Sequence, residues 1–164
     1  MEDIVRKLGF LSLGSRLKRF AERLQADTQL IIDRSGQTIQ ANQYPLLAAL
    51  DMFGPLTVGD LAQAMGVSQP GTTKMVSKLV GDGLIEIKHT PNDQRKKLLA
   101  LSLNGQRITD DAKRDVWPRI QAAVQDLCDI DAAPLLDVLA QIEDDLADLP
   151  LSQRPRTRGA GDVS

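Results

Sequence analysis

The chemically most distinctive part of the sequence is a run of short polar and basic side chains between residues 68 and 78. They fall on the first two turns and the outer face of a predicted helix: Ser68, Gln69, Thr72, Thr73, Lys74, Ser77 and Lys78. Amide, hydroxyl and ammonium groups of this kind form hydrogen bonds with base edges in the major groove of a duplex. Backbone N–H groups at the start of the same helix can bind a phosphate group. The run therefore predicts a nucleic-acid-binding helix.

A second basic cluster follows in the polar connector between residues 89 and 96. The connector is rich in turn-forming residues, so Arg95 is expected at a loop tip, with Lys96 and Lys97 beside it. A guanidinium at a loop tip is attracted by the negative potential of a minor groove, and the two lysines can contact phosphates. The connector thus predicts a second point of contact with a duplex.

Residues that could support catalysis or hold a metal are scarce in this chain. His89 is the only histidine and Cys128 the only cysteine, which excludes a histidine pair, a cysteine-rich zinc site and an internal disulfide. The sequence has no glycine-rich phosphate loop and no nucleophile motif. We therefore expect no enzyme activity, no metal and no cofactor, and we interpret Cys128 as a small apolar residue rather than a redox sensor.

The charge distribution is uneven, although the net charge is only −2. Residues 57–103 contain six basic and four acidic side chains, whereas residues 104–150 contain four basic and eleven acidic ones. This asymmetry indicates that only the middle of the chain faces a polyanion. Neither an export signal nor an apolar run of membrane-spanning length is visible, so the expected compartment is the cytoplasm, with no membrane partner.

The pattern of apolar residues indicates the elements that must position these groups. A helical spacing that starts at Phe10 predicts one long amphipathic helix ending near residues 33–36, with residues 4–8 either in the same helix or in a short one before it. A second helix is predicted from about Ala41 to Met52. Two short helices joined by residues 65–68 then predict a helix-turn-helix, in which Thr57 and Ser68 are the N-caps. The alternating residues on either side of the polar connector predict two strands, which together with the helix-turn-helix make a winged helix.

Beyond the second strand the pattern is helical again. Ser102 is the predicted N-cap of a long helix that Pro118 should interrupt, and Asp131 the N-cap of a last helix. The last helix carries a stripe of apolar residues: Leu135, Leu139, Ile142, Leu146 and Leu149. A small winged helix leaves such a stripe uncovered, so we expect a homodimer.

The stretch from about residue 57 to residue 105 resembles the MarR family of bacterial transcriptional regulators. The resemblance lies in the helix-turn-helix, the Gly-Leu-hydrophobic-Glu entry to the wing, the Asp-x-Arg signature at Asp93 and Arg95, and the Leu-Ser start of the long helix. The sequence departs from the family at Gly71, Ser77 and Gly81. The resemblance implies a homodimer that binds a palindromic operator on double-stranded DNA. It also implies that Asp93 orients Arg95.

The family often responds to a small-molecule effector, in a pocket where the DNA-binding lobe meets the dimer helices. The resemblance implies Arg16, Phe20 and Tyr44 as candidate ligand contacts in this chain. Trp117, beside Pro118, is interpreted either as packing at a kink or as a wall of that pocket.

Together these observations predict a mainly α fold with a small β-wing: a winged helix-turn-helix with long N- and C-terminal dimerisation helices. The predicted segments are an N-terminal dimerisation helix (1–36), a DNA-binding lobe (37–103), C-terminal dimerisation helices (104–150) and a disordered tail (151–164). An alternative function is a winged-helix module that uses the same helix against a protein partner and binds no DNA.

Overall fold

The computed structural model describes residues 2–90, 93–128 and 132–154. The chain forms two compact units, Met1–Gln121 and Ala122–Ser164. The helices are α1 (Ile4–Lys7), α2 (Leu13–Arg34), α3 (Tyr44–Phe53), α4 (Val58–Met65), α5 (Gln69–Gly81), α6 (Leu103–Asp111), α7 (Trp117–Cys128) and α8 (Ala132–Asp148). The strands are β1 (Ile85–Thr90) and β2 (Asp93–Leu101), and a π-helix occupies Ala112–Val116. The mainly α fold with a two-stranded wing is confirmed.

The predicted N-terminal helix is divided in the structure. Gly9 has φ +55°, a left-handed conformation that side chains rarely adopt, and the Gly9–Ser12 segment forms a 3-10 turn. The long helix α2 therefore begins at Leu13, three residues later than predicted, after the short helix α1. It ends as predicted, with Ser35 as C-cap and Gly36 at φ +76°.

The core of the first unit is aliphatic and surrounds α3. That helix buries two residues that the sequence pattern did not single out, Leu46 and Ala49, as well as Leu47 and Leu50. The core is completed by apolar residues from the other elements: Ile32, Ile39, Leu61, Val76, Leu79, Leu84, Ile85, Leu99, Ala112 and Val116. α3 is thus the central helix against which the helix-turn-helix, the wing and the π-helix pack.

The wing is an antiparallel hairpin in which Ile85 pairs with Leu101 and Ile87 with Leu99. Leu56 forms an isolated antiparallel bridge with β2, since its N–H donates to Leu99 O at 3.0 Å and its carbonyl accepts the return bond at 2.8 Å. The predicted loop 89–96 is shorter than expected: His89, Thr90 and residues 93–96 are strand, with a bulge between His89 and Thr90. Strand pairing is made by backbone hydrogen bonds and does not require apolar side chains. The polar sequence of this segment therefore predicted a loop where the structure has strand.

The predicted interruption near Pro118 takes the form of the π-helix Ala112–Val116, which lies between α6 and α7. Proline has no N–H to donate to the carbonyl four residues earlier, and a π segment is one way for a helix to absorb such a defect. Ala112 and Val116, on the π segment, are buried in the core. The irregular turn therefore lies against the winged helix.

The second unit contains α8 and a short continuation. The predicted N-cap of α8, Asp131, lies outside the described residues. The Leu151–Gln153 segment forms a 3-10 turn, and Arg154 Nε donates to Leu149 O at 3.1 Å. The guanidinium also donates to Asp145 O, so Arg154 caps the last carbonyls of the helix. Residues 151–154 of the predicted disordered tail are thus ordered, and residues 155–164 lie outside the described part.

Each unit exposes a large apolar surface. At the N-terminal end of the first unit, Phe10 is 94% and Leu11 84% exposed, and Leu13, Leu17 and Phe20 on α2 are also exposed. In the second unit the predicted stripe of α8 is exposed at Leu135, Ile142, Leu146 and Leu149. Exposed apolar patches of this extent are typical of surfaces that pair with another protein.

Candidate nucleic-acid interface

The start of α5 is held by the turn that joins it to α4. Gly66 has φ +63°, and Val67 N donates to Ala62 O at 3.1 Å, which ends α4. The predicted N-cap at Ser68 is confirmed, since its Oγ accepts the N–H of Gly71 at 3.4 Å. Thr57 likewise caps α4 through a reciprocal pair of hydrogen bonds with Asp60. Helix caps on both helices therefore define the helix-turn-helix.

The inner face of α5 contains one residue that the sequence pattern places on the outer face. Thr72 is 0% exposed, and its Oγ1 donates to Ser68 O at 3.1 Å. Thr72, Val76 and Leu79 recur at four- and three-residue steps, so all three point into the core. The prediction that Thr72 contacts DNA is therefore wrong, because its only polar side-chain group is buried and already bonded.

The remaining predicted residues of α5 are exposed together on one face: Ser68, Gln69, Thr73, Lys74, Ser77 and Lys78. Thr73 Oγ1 donates to Gln69 O and Ser77 Oγ to Thr73 O, each at 2.9 Å. These two hydroxyls therefore present oxygen lone pairs to solvent while their hydrogens are engaged. Within the described parts of the chain, neither lysine ammonium forms an ion pair with a carboxylate. This face of α5 therefore carries two hydroxyl acceptors and two lysine ammonium groups that have no carboxylate partner in the described structure.

A cavity of about 330 Å³ lies between this face and the segment that leads into α3. It is lined by Gln40, Asn42, Gln43, Gly71, Lys74, Met75 and Lys78. The sequence analysis missed Asn42, since its segment carries no apolar or basic pattern that would have singled it out. Only the packing of α3 against the helix-turn-helix places its amide beside the two lysines.

The wing places its basic residues on β2. Asp93, Arg95 and Lys96 lie within that strand, but their side chains are outside the described part of the structure. Lys97 is exposed and pairs with His89 across the hairpin. The predicted pairing of Asp93 with Arg95 therefore stays a prediction, as do the roles of Lys96 and Lys97.

The wing is fixed to α6 by a close backbone contact. Ser102 N donates to Leu84 O at 3.0 Å, and Ser102 Oγ donates to Gly83 O at 2.7 Å. The same Oγ accepts the N–H of Gly105, which confirms Ser102 as the N-cap. A Cβ on Gly105 would lie 2.0 Å from Leu84 O, so only glycine allows this approach.

A polar network joins α3 to α6 and the π-helix. Asp51 accepts hydrogen bonds from Lys113 Nζ at 2.7 Å and from Gln106 Nε2 at 2.9 Å. The Lys113 ammonium, followed by the Gln106 amide, holds the pKa of Asp51 below its ordinary value. Because the folded-state pKa is the lower one, this carboxylate stabilises the fold at neutral pH, and its contribution is lost as the pH falls below the usual range of an aspartate.

The three candidate ligand contacts occupy different environments. Tyr44 is buried in the core, where its hydroxyl donates to Gln37 and its ring meets Trp117 edge-on at 6.0 Å. Burial raises the pKa of Tyr44 to about 12. Arg16 and Phe20 are instead exposed on α2. The described cavities do not include these three residues in their linings.

A further cavity of about 410 Å³ opens beside Gln37, the partner of Tyr44. The end of α2 and the α6–π segment form its walls, which include Arg107, Arg114 and Val116. Arg114 pairs with Asp111 and Asp115, whereas Arg107 donates to Asn104 Oδ1. Trp117, next to Val116 in the chain, has a buried Nε1 with no acceptor in the described structure. Trp117 is not among the residues that line the cavity, whereas Asp111 and Asp115 line it together with the two arginines.

The described residues were also compared with the requirements of a metal site, a reactive cysteine and a membrane-spanning helix. No group of three or more histidine, cysteine, aspartate or glutamate side chains in that part of the chain lies close enough to hold a metal ion. Cys128, at the end of α7, is half-buried. No helix of the described ranges has the length and apolarity needed to cross a membrane.

A helix-turn-helix followed by an antiparallel hairpin, with a polar face on the second helix, defines a winged-helix protein. The model of the MarR family matches residues 37–96, which run from the end of α2 through most of the wing. Over these residues the chain is similar to the MarR family. The predicted fold class and the predicted resemblance to this family are thus confirmed.

The chain is also similar to solved structures and to curated relatives. The chain is 28% identical to the transcriptional repressor CouR, solved on a 23-mer DNA duplex, with a TM-score of 0.69 over 83% of this chain and 96% of that one. Bordetella bronchiseptica BpsR, described as regulated in its DNA binding by 6-hydroxynicotinic acid, shares the fold at 22% identity and a TM-score of 0.66, over 80% and 91% of the two chains. An uncharacterised Mycobacterium tuberculosis protein is 30% identical over 83 residues, 48% of this chain. The chain spans only 58% of the length of that relative.

Proposed function

We propose that the protein is a sequence-specific DNA-binding transcriptional regulator that acts as a homodimer on a palindromic operator. The observation that carries this proposal is the exposed face of α5, with hydroxyl acceptors at Thr73 and Ser77 beside the free cations of Lys74 and Lys78. CouR, the relative solved with a duplex, supports it. In this proposal α5 enters the major groove, and Arg95 and Lys97 on the wing contact the neighbouring minor groove or its phosphates.

The proposal is tested by alanine substitution of two basic residues, which should change DNA binding in different ways. Lys74→Ala on the recognition helix should cost about 1–3 kcal/mol per half-site on the operator and relax the preference at one base pair. Arg95→Ala on the wing should weaken operator and random DNA almost equally and lower the salt slope by about one for each phosphate that is no longer neutralised. Binding isotherms at several salt concentrations, on operator and scrambled duplexes, measure both.

The matched control is Lys18→Ala, which removes one exposed ammonium from α2. It should bind both duplexes like the parent protein. If Lys74→Ala and Arg95→Ala also bind like the parent, the helix and wing do not recognise DNA. A module that binds a protein partner would then be the better account.

We further propose that a small-molecule effector modulates this binding, in the cavity of about 410 Å³ beside Gln37. Arg107, at its wall, carries a guanidinium that suits the carboxylate of an aromatic acid. In a thermal-shift screen of aromatic acids, we expect one compound to raise the unfolding midpoint by a few degrees, since ligand at 100 times its Kd adds about 2.7 kcal/mol. Arg107→Gln should abolish the shift. A screen in which no acid shifts the midpoint contradicts the effector proposal and leaves DNA binding untouched.

A further inference from the structure

We infer that Asn42, in the segment that leads into α3, is a further DNA-contacting residue that donates its side-chain amide to a backbone phosphate beside Lys78. The inference rests on the proposed function and extends its interface beyond the helix-turn-helix and the wing. It concerns a segment that neither the sequence pattern nor the motif of the family singles out.

The chemistry of the cavity between α3 and α5 is suited to an anion. Lys74 and Lys78 lie one helical turn apart on its wall, and no carboxylate is part of the lining. Asn42 is exposed, and no hydrogen bond engages its side-chain amide within the described structure. Two lysines and one asparagine without a hydrogen-bonded amide therefore line the same open volume of about 330 Å³. A phosphate oxygen accepts hydrogen bonds from each of these groups.

The backbone that carries Asn42 is already fixed in the free protein. Gln29 on α2 accepts the N–H of Ala41 at 2.8 Å and donates to Ile39 O at 3.1 Å. On the other side, the buried Gln43 accepts the N–H of Gln40 at 2.9 Å. Because these bonds hold both flanks of Asn42, little backbone ordering remains to be done on binding.

The position of Asn42 favours a phosphate over a base. Asn42 lies beside α5 rather than on it, whereas base edges are reached from the helix that occupies the groove. When a helix lies in the major groove, the phosphates of both strands flank it, and neighbouring elements of the protein are well placed to contact them. Asn42 would thus fix the angle at which α5 enters the groove.

Two substitutions at this position should change binding in opposite directions. Asn42→Ala should weaken binding about tenfold per half-site without changing the salt slope, since a neutral donor releases no counterion. Asn42→Lys should tighten binding and raise the salt slope by about one per protomer. Gln121→Lys, an exposed change of the same charge on α7, is the control and should alter neither slope nor affinity by more than about twofold. The probe is a duplex that the unmodified protein selects from a randomised pool.

A duplex with single neutral methylphosphonates locates the contact. One position per half-site should weaken the unmodified protein about tenfold more than it weakens Asn42→Ala, because the bond from Asn42 is already absent in the variant. A purely structural role of Asn42 would leave the two effects additive. If the unmodified protein binds the duplex and both Asn42 variants bind it with the same affinity and salt slope, this inference is refuted and the proposed function is unaffected. If the unmodified protein binds no duplex at any salt concentration, the proposed function and this inference fail together.

Discussion

Gly105→Ala should be the most destabilising single-methyl substitution in the winged-helix unit. The added Cβ would stand 2.0 Å from Leu84 O and 2.9 Å from Leu84 C, distances that real Cβ atoms do not show. Both obstructing atoms belong to the backbone, so α6 and the start of β1 must separate, which strains the hydrogen bonds of Ser102. Overpacking of this kind costs about 3 kcal/mol, which for a chain of this size lowers the melting temperature by about 6–12 °C.

Thermal unfolding followed by circular dichroism measures this effect, and Gly81→Ala is the matched control. Gly81 ends α5 with nothing within 4 Å of an added Cβ, so alanine there should stabilise by about 0.5–1 kcal/mol. The two substitutions add the same methyl group and should shift the melting temperature in opposite directions. Equal melting temperatures for Gly105→Ala and the parent protein would contradict the close approach of α6 to Leu84.

Ile142→Asp should convert the proposed dimer into monomers and weaken operator binding by about 100-fold or more. Ile142 lies in the middle of the exposed stripe of α8, which also includes Leu135, Leu146 and Leu149. A carboxylate there would have to be buried without a partner if a second copy of the chain covered the stripe. Two linked half-site contacts gain about 100- to 10,000-fold over one, and this gain disappears when the subunits separate.

Sedimentation at micromolar concentration and operator isotherms measure the two effects. Ala140→Asp introduces the same charge on the opposite face of α8, and it should stay dimeric with unchanged affinity. A parent protein that sediments as a stable monomer would refute the homodimer. A dimeric Ile142→Asp with the affinity of the parent would instead show that the stripe of α8 is not the dimer face.

The sequence alone was sufficient for the helix caps and for the turns that end α2 and join α4 to α5. The caps at Thr57, Ser68 and Ser102 are local, since each side chain bonds to a backbone group three residues away. The end of α2 and the turn between α4 and α5 follow from glycines that adopt a positive φ. The order of these elements was enough to predict the winged helix, and the motifs of residues 57–105 carried the resemblance to the MarR family.

Other features depend on which distant segments come together, and these only the tertiary structure decided. Thr72 is polar and one residue away from the exposed Thr73, so only the docking of α5 against the core shows that it is buried. The strand character of residues 93–96 depends on pairing with β1, because a ladder is made by two segments and not by one. The roles of Gly105 and Asn42 likewise arise from contacts with Leu84 and with the lysines of α5, which are distant in the chain. Caps and turns are determined by short-range hydrogen bonds, whereas burial and shared cavities depend on long-range packing, which a sequence pattern does not specify.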